Sequence, residues 1–180
     1  MTATRAVWNR IQSGDHRIMR SVHHWRPPKW FRKAMVIFTR MGDGWLWYAL
    51  AAGILLFGGP HRFLALASAA SAAGAGILIF MGVKRVSRRQ RPCELEPHCW
   101  SMIAPPDEFS FPSGHAITAF AIAVSLEFFY PGLGWALLFV AFGIAASRIV
   151  LGMHFLSDVL AGSSIGALLG FSAVHLLNSL

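Results

Sequence analysis

Five stretches of the chain stay apolar over lengths that suit a bilayer better than a soluble core. They lie near Gly44–Gly58, Arg62–Val83, Ser113–Tyr130, Leu133–Leu151 and Phe155–Leu177. A transmembrane helix needs about 20 such residues, so the first stretch is short unless it begins upstream near Ala34. Before them the pattern is different. From Arg5 to Trp25, apolar residues recur as Val7/Trp8, Ile11, Ile18/Met19, Val22 and Trp25, with Arg and His between them and a break at Gly14-Asp15. That spacing predicts a basic amphipathic helix lying on the membrane surface. Pro27-Pro28 punctuate the chain, and Lys29–Met41 either continues along the interface or begins the first span. The expected fold is all-α: one domain over residues 1–180, an integral membrane bundle of five or six transmembrane helices with an interfacial N-terminal segment, residues 1–43. The run Ala67–Gly76 in the second span is so rich in small residues that close helix packing is expected there, making this a bundle helix rather than a lipid-facing one.

Composition supports the membrane reading. Of 180 residues, 55% are hydrophobic and 13% charged, with mean hydropathy +0.51, whereas soluble domains carry roughly 25% charged residues. A disordered chain or a nucleic-acid-binding tail is excluded. The net charge of +8 calls for a partner bearing phosphate, and in this setting that is an anionic lipid or a phosphorylated substrate. The first 43 residues hold nine Lys and Arg and no early apolar core, so no signal peptide is expected. Cys93 and Cys99 fit either two thiols or one bridge. A zinc site from Cys93, His98, Cys99 and Glu94 or Glu96 does not match closed four-ligand spacings.

The one long polar stretch is Lys84–Pro112, with five basic residues, four acids and five prolines. Loops of that length in a compact chain are usually functional. It opens on Lys84-Arg85-Val86-Ser87-Arg88-Arg89-Gln90-Arg91-Pro92, where Arg85, Arg88 and Arg89 read as interfacial charge. It closes on Phe111-Pro112-Ser113-Gly114-His115, feeding a helix whose free N–H groups and positive dipole end suit an anion. Arg148 sits inside an apolar segment, where a charge is costly and marks a cavity or a counter-ion. His154 and Asp158 stand one helical turn apart, the spacing of a nucleophile or base with its orienting carboxylate.

These blocks, Lys84…Arg91-Pro92, Pro112-Ser113-Gly114-His115 and Ser147-Arg148…His154…Asp158, resemble the signature of the type 2 phosphatidic acid phosphatase superfamily, K-x6-R-P, P-S-G-H and S-R-x5-H-x3-D. Every fixed position is filled. The resemblance implies a phosphatase without metal or other cofactor, in which His154 attacks phosphorus and Asp158 holds and polarises it. It further implies that His115 protonates the leaving oxygen and later activates water, while Lys84, Arg91, Ser113, Gly114 and Arg148 bind the non-bridging oxygens. Phosphoryl transfer needs in-line positioning and charge neutralisation, which three cations and a helix N-terminus can supply.

The implied substrate is a membrane lipid phosphate, phosphatidate- or phosphatidylglycerophosphate-like, because isoprenyl pyrophosphatases of the family often carry Asp where this chain has Gly114. Isoprenyl pyrophosphate hydrolysis, lipid phosphotransfer and a non-catalytic lipid-binding bundle are the alternatives. The location implied is the bacterial cytoplasmic membrane. For the face, the two arguments oppose each other: family precedent places the site on the periplasmic side, which is the expectation adopted, whereas with five spans the positive-inside rule favours the cytoplasm.

Overall fold

The computed structural model describes residues 3–25, 27–95 and 107–179. Among the described residues the regular structure is helical: α1 (Ala3–His24), α2 (Lys29–Met41), α3 (Trp45–Phe57), α4 (Arg62–Ser87), the single turn α5 (Pro92–Leu95), α6 (Gly114–Phe129), α7 (Pro131–Val150) and α8 (Leu156–Asn178). Helices α4, α7 and α8 are long and apolar enough to cross a membrane, and α3 and α6 are shorter apolar helices. These five match the five apolar stretches to within a few residues, except that α4 runs on past Val83 to Ser87. It thereby carries Lys84, a buried cation, on the same rigid rod as the span.

Helix α6 is the centre of the bundle, packed against α4, α7 and α8. Half of its residues are buried, including Ala116, Ile117, Ala119, Ala121 and Ala123. Its tightest seam is with α8, where Gly162, Gly166 and Gly170 recur every four residues on one face. A Cβ on Gly162 would stand 2.7 Å from the Ser113 carbonyl oxygen, one on Gly170 2.7 Å from that of Ala121, and one on Gly166 would strike the Ile117 carbonyl. Small residues are therefore required there for the backbones to approach.

The small-residue run in α4 behaves differently from its expectation. Ser68, Ala69, Ala72 and Gly76 are buried, and Gly76 sits against Ile117, but Gly74 faces open space. Phe63, Leu78 and Met81 are exposed on the opposite side, so α4 presents one face to the bundle and one to lipid. The enclosed helix is α6. A helical period of 3.6 puts positions 74 and 76 on different faces, which a count of small residues does not register.

The N-terminal segment forms two helices. Gly14-Asp15 does not interrupt α1: nothing crowds Gly14, and the buried Asp15 carboxylate accepts the Ser157 N–H at 3.0 Å, a tertiary bond that offsets weak helix propensity. Val7, Trp8, Ile11 and Ile18 remain substantially exposed, an open apolar stripe along α1. Helix α2 packs on α7 through Met35 and Thr39 while Trp30 and Ile37 point outward. The chain then turns at Gly42-Asp43-Gly44, where Gly44 takes φ +117°, a conformation open to glycine.

Helix order fixes which connections share an end. The Asp15–Ser157 contact and the residues around His154 mark one end; at the other, the Tyr130 hydroxyl donates to the Gly58 carbonyl at 2.8 Å, tying the α6–α7 junction to the α3–α4 turn. The N-terminal helix and the polar loop thus lie on the same end of the bundle.

Candidate active site

At that end a cavity of about 700 Å³ opens between α3, α4 and α6. Its inner wall is polar, with Lys84, Arg91, His115, Arg148 and His154, together with Asp43 and Asp107. Its outer wall is apolar, with Trp47, Tyr48, Ala73, Ile77, Phe80 and Ile122. A cavity of this shape accepts an amphiphile with the polar head inward.

His154 lies in the α7–α8 connection and is 3% exposed. Its Nδ1 is 2.6 Å from the Ser110 carbonyl oxygen. A carbonyl can only accept, so Nδ1 carries the proton and Nε2 presents its lone pair. Nε2 lies 3.3 Å from Arg91 Nη1. Burial, and then the positive charges of Arg148, Arg91 and Lys84, hold the imidazole well below the usual histidine range, which disfavours its protonated form. Asp158, assigned from sequence as its orienting partner, is nearby but not bonded: Oδ2 is 3.7 Å from Nδ1. That oxygen instead accepts the Phe155 N–H at 2.8 Å, closing the N-terminus of α8. Oδ1 accepts from Arg89 at 2.6 Å.

The three cations are not equivalent. Arg91, fully buried, donates to the Asp107 carbonyl at 2.8 Å, the Asp107 carboxylate at 2.7 Å and the Met153 carbonyl at 2.7 Å. Lys84 donates to the other Asp107 oxygen at 2.6 Å. Desolvation alone would raise the Asp107 carboxyl, but its hydrogen bonds and attraction to Lys84 and Arg91 outweigh that and hold it below the ordinary carboxylate range. Arg148 has a different environment. Nη1 donates to the Thr39 hydroxyl at 2.6 Å, whereas Nε and Nη2 are buried with no partner among the described residues. Two vacant donors on a buried guanidinium that lines the cavity form a fork for a tetrahedral oxyanion.

The N-terminus of α6 closes the site. Ser113 is its N-cap residue but makes no side-chain capping bond: the hydroxyl is buried and unpartnered among the described residues, while its backbone N–H donates to the Asp158 carbonyl at 3.1 Å. Gly114 faces Phe80, whose ring would be 3.3 Å from an added Cβ. His115 Nε2 is 2.9 Å from Asp43 Oδ1. Burial would raise the Asp43 carboxyl, but hydrogen bonds from His115 and Arg40 hold it low, so the carboxylate accepts from His115. Gly42 makes room for this ring: a Cβ there would be 2.6 Å from His115 Cδ2.

The residues named from sequence thus converge at one end of the bundle from α4, the loop, α6, α7 and α8. A family model for the PAP2 superfamily matches residues 62–179, which contain all three motif blocks. The chain belongs to the PAP2 superfamily. It is a multi-pass membrane phosphatase. It is 37% identical over 127 residues to a decaprenylphosphoryl-5-phosphoribose phosphatase of Mycobacterium tuberculosis, an alignment covering 71% of this chain and 68% of that protein. Among solved structures, the PAP2-type phosphatidylglycerolphosphate phosphatase of Bacillus subtilis superposes with TM-score 0.68 at 28% identity, covering 96% of this chain and 88% of that one. Aquifex aeolicus LpxE shares the fold, with TM-score 0.76 at 24% identity over 88% and 93% of the two chains.

Several residues around the PAP2 site were not visible in the motif blocks. Asp43 and Thr39 precede the matched region, and nothing in their spacing ties them to His115 or Arg148. Asp107 and Ser110 lie in the loop without a motif of their own. Arg89, read as interfacial charge, is 8% exposed and bonded to two carboxylates, because the loop folds it inward beneath α1. Arg85 and Arg88 are exposed as expected. His98, Cys99 and Glu96, and with them any Cys93–Cys99 bridge, lie outside the described residues. No cluster of His, Cys, Asp or Glu that could hold a metal occurs among the described residues.

Proposed function

We propose that this PAP2 protein hydrolyses a lipid-anchored phosphomonoester through a phosphohistidine on His154, using the cations of the protein in place of a metal. The observation that carries the proposal is the pair of vacant Arg148 donors in a cavity that also holds a neutral, tautomer-fixed His154. Arg148, Lys84 and Arg91 neutralise the phosphoryl oxygens, with Ser113 and the Gly114 N–H at the helix N-terminus adding donors. His154 Nε2 attacks in line and its imidazole gains positive charge, which Asp158 stabilises. His115, held by Asp43, protonates the leaving oxygen and in the second half-reaction takes a proton from water. Asp43, 2.9 Å from His115 Nε2, fixes the orientation of that ring towards the cavity.

The apolar outer wall supports a lipid substrate whose chain stays at the Trp47–Ile77–Ile122 side. Gly114 stands where isoprenyl pyrophosphatases of the family often carry Asp, which favours a monoester over a diphosphate. The mycobacterial relative is named for a phosphomonoester on a lipid-linked sugar and the Bacillus neighbour for one on a glycerolipid. The deciding experiment is phosphate release by purified protein from phosphatidate, phosphatidylglycerophosphate and undecaprenyl pyrophosphate, with and without EDTA. Monoester turnover that survives EDTA, with acid-labile label lost in His154→Ala, is expected. Activity restored only by added magnesium refutes the metal-free reading, and recovery of phosphate chiefly on an acceptor hydroxyl makes the protein a phosphotransferase.

The membrane is read as the bacterial cytoplasmic one. On its face, the periplasmic expectation rests on family precedent. The docking of α1 beside Ser157 supports the opposite side, because with five apolar helices 14 of the 15 Lys and Arg among the described residues lie at the site end and Arg62 at the other. A periplasmically active reporter fused after Leu180 supports a cytoplasmic site; an inactive one supports the periplasmic expectation.

A further inference from the structure

We infer that Asp15 and Arg89 are positioning residues of this phosphatase, and that α1 is a working part of its active site as well as an interfacial helix. The inference rests on the assignment of His154 and Asp158 above and concerns two residues to which the sequence motifs assign no role. Arg89 Nη1 donates to Asp158 Oδ1 at 2.6 Å and to the Ser157 hydroxyl at 2.7 Å, and Nη2 donates to Asp15 Oδ2 at 2.6 Å. Ser157 donates its hydroxyl to Asp15 Oδ2 at 2.5 Å and its N–H to Asp15 Oδ1 at 3.0 Å. The guanidinium lies 4.2 Å over the Phe155 ring and 5.7 Å from that of Trp8. Trp8 and Asp15 are seven residues apart, on one face of α1, so this helix clamps Arg89 from outside the bundle.

The arrangement sets the place of Asp158. One guanidinium bridges two buried carboxylates, so Asp15, anchored on α1, fixes where Arg89 holds Asp158 Oδ1. That holds the carboxylate beside His154, whose Nδ1 is 3.7 Å from Oδ2 and becomes more acidic as the imidazole bonds to phosphorus. With Asp15 replaced by an uncharged side chain, Arg89 loses its outer anchor, and the carboxylate it positions answers His154 less well. A buried network of this kind is non-additive: removing either end disturbs the same interaction. Because α1 lies at the membrane surface, its docking also ties membrane contact to the geometry of Asp158.

The test is steady-state kinetics of full-length Asp15→Asn, Arg89→Lys and the double variant in mixed detergent micelles containing phosphatidate, with Tm recorded for each. The expected result is a fall in kcat of roughly tenfold, the low end for residues that orient a reacting group's partner, with KM within about twofold by the same reasoning. The double variant should fall no further than the worse single one, and Asp15→Glu should recover most of the loss. Should Asp15→Asn fail to fold, Ser157→Ala, which removes only the hydroxyl bridging Asp15 and Arg89, should lower kcat in the same way. Lower Tm with unchanged kcat in the folded variants, or losses that multiply in the double variant, overturns the inference. Failure of the underlying reading is distinguishable, because His154→Ala would then keep its turnover.

Discussion

Replacing Arg148 by methionine is the most informative single perturbation of this phosphatase, because stability and activity should move in opposite directions. The guanidinium is 2% exposed, satisfies one donor through Thr39 and leaves Nε and Nη2 unpaired among the described residues. A buried, incompletely paired charge costs stability, and substitution by an apolar side chain of similar length is often neutral or stabilising by about 1–4 kcal/mol. The Thr39 hydroxyl loses its donor, a cost of about 1 kcal/mol, so Arg148→Met should match or exceed the wild-type Tm. Activity should collapse. Hydrogen bonds to charged groups are worth about 1.5–3 kcal/mol each, so two lost contacts to the phosphoryl group amount to about 3–6 kcal/mol, or roughly 10²- to 10⁴-fold in kcat/KM. Arg148→Lys keeps the charge but not the fork and should lose about one contact, roughly 10- to 100-fold by the same figures. The assays are phosphate release and a thermal melt in detergent with and without vanadate. A ligand at about 100 times its Kd stabilises by roughly 2.7 kcal/mol, so vanadate should raise the wild-type Tm and leave Arg148→Met unmoved. Loss of less than tenfold in kcat/KM, or an equal vanadate shift in both proteins, refutes the role given to the vacant donors.

Four further outcomes follow from the same geometry. Asp43→Asn removes the carboxylate that holds His115, so hydrolysis of esters with poor leaving groups should fall by about 10²-fold, the low end of general-acid contributions, while activated aryl phosphates lose far less; equal losses would remove the Asp43–His115 pair from the acid role. Asp107→Asn frees Lys84 and Arg91 of a competing carboxylate and should lower the Ki of inorganic phosphate severalfold, measured by inhibition of lipid turnover; a raised Ki would mean that Asp107 orients those cations. Gly166→Ala drives a methyl into the Ile117 carbonyl and should cost about 1–3 kcal/mol, whereas Gly74→Ala, in open space on a helix, should gain up to about 1 kcal/mol; thermal melts in detergent that rank them otherwise would displace the α6–α8 seam as the tight contact. His154, held neutral by burial and the cations around it, should stay unprotonated as pH falls through the ordinary histidine value of about 6.5. kcat/KM should therefore show no acid limb from the nucleophile near that pH. The unfolded chain does take up that proton there, so folding stability contributed by His154 is present above pH 6.5 and declines below it.

Much of this protein is written locally in its sequence. The five apolar helices follow from runs of residues whose backbone must be satisfied internally in lipid, and their ends were placed to within a few residues because charge and proline stop them. The PAP2 site was legible because its members sit at helix ends at fixed spacings: Lys84 closing α4, Ser113 and His115 opening α6, Arg148 closing α7, and His154 and Asp158 opening α8. What sequence could not supply is the pairing between elements far apart in the chain. The spacing of His154 and Asp158 implied a direct bond, yet Ser110, 44 residues away, takes the imidazole proton, and Arg89 and Phe155 take the carboxylate. Arg89 resembled its exposed neighbours Arg85 and Arg88 until α1 covered it. Gly74 and Gly76 looked alike in a run of small residues, and only the rotation of α4 against α6 separates them. Local propensity and hydropathy act over a few residues and are fixed by composition. Burial, charge pairing and close approach depend on which helix faces which, and tertiary packing alone decides that.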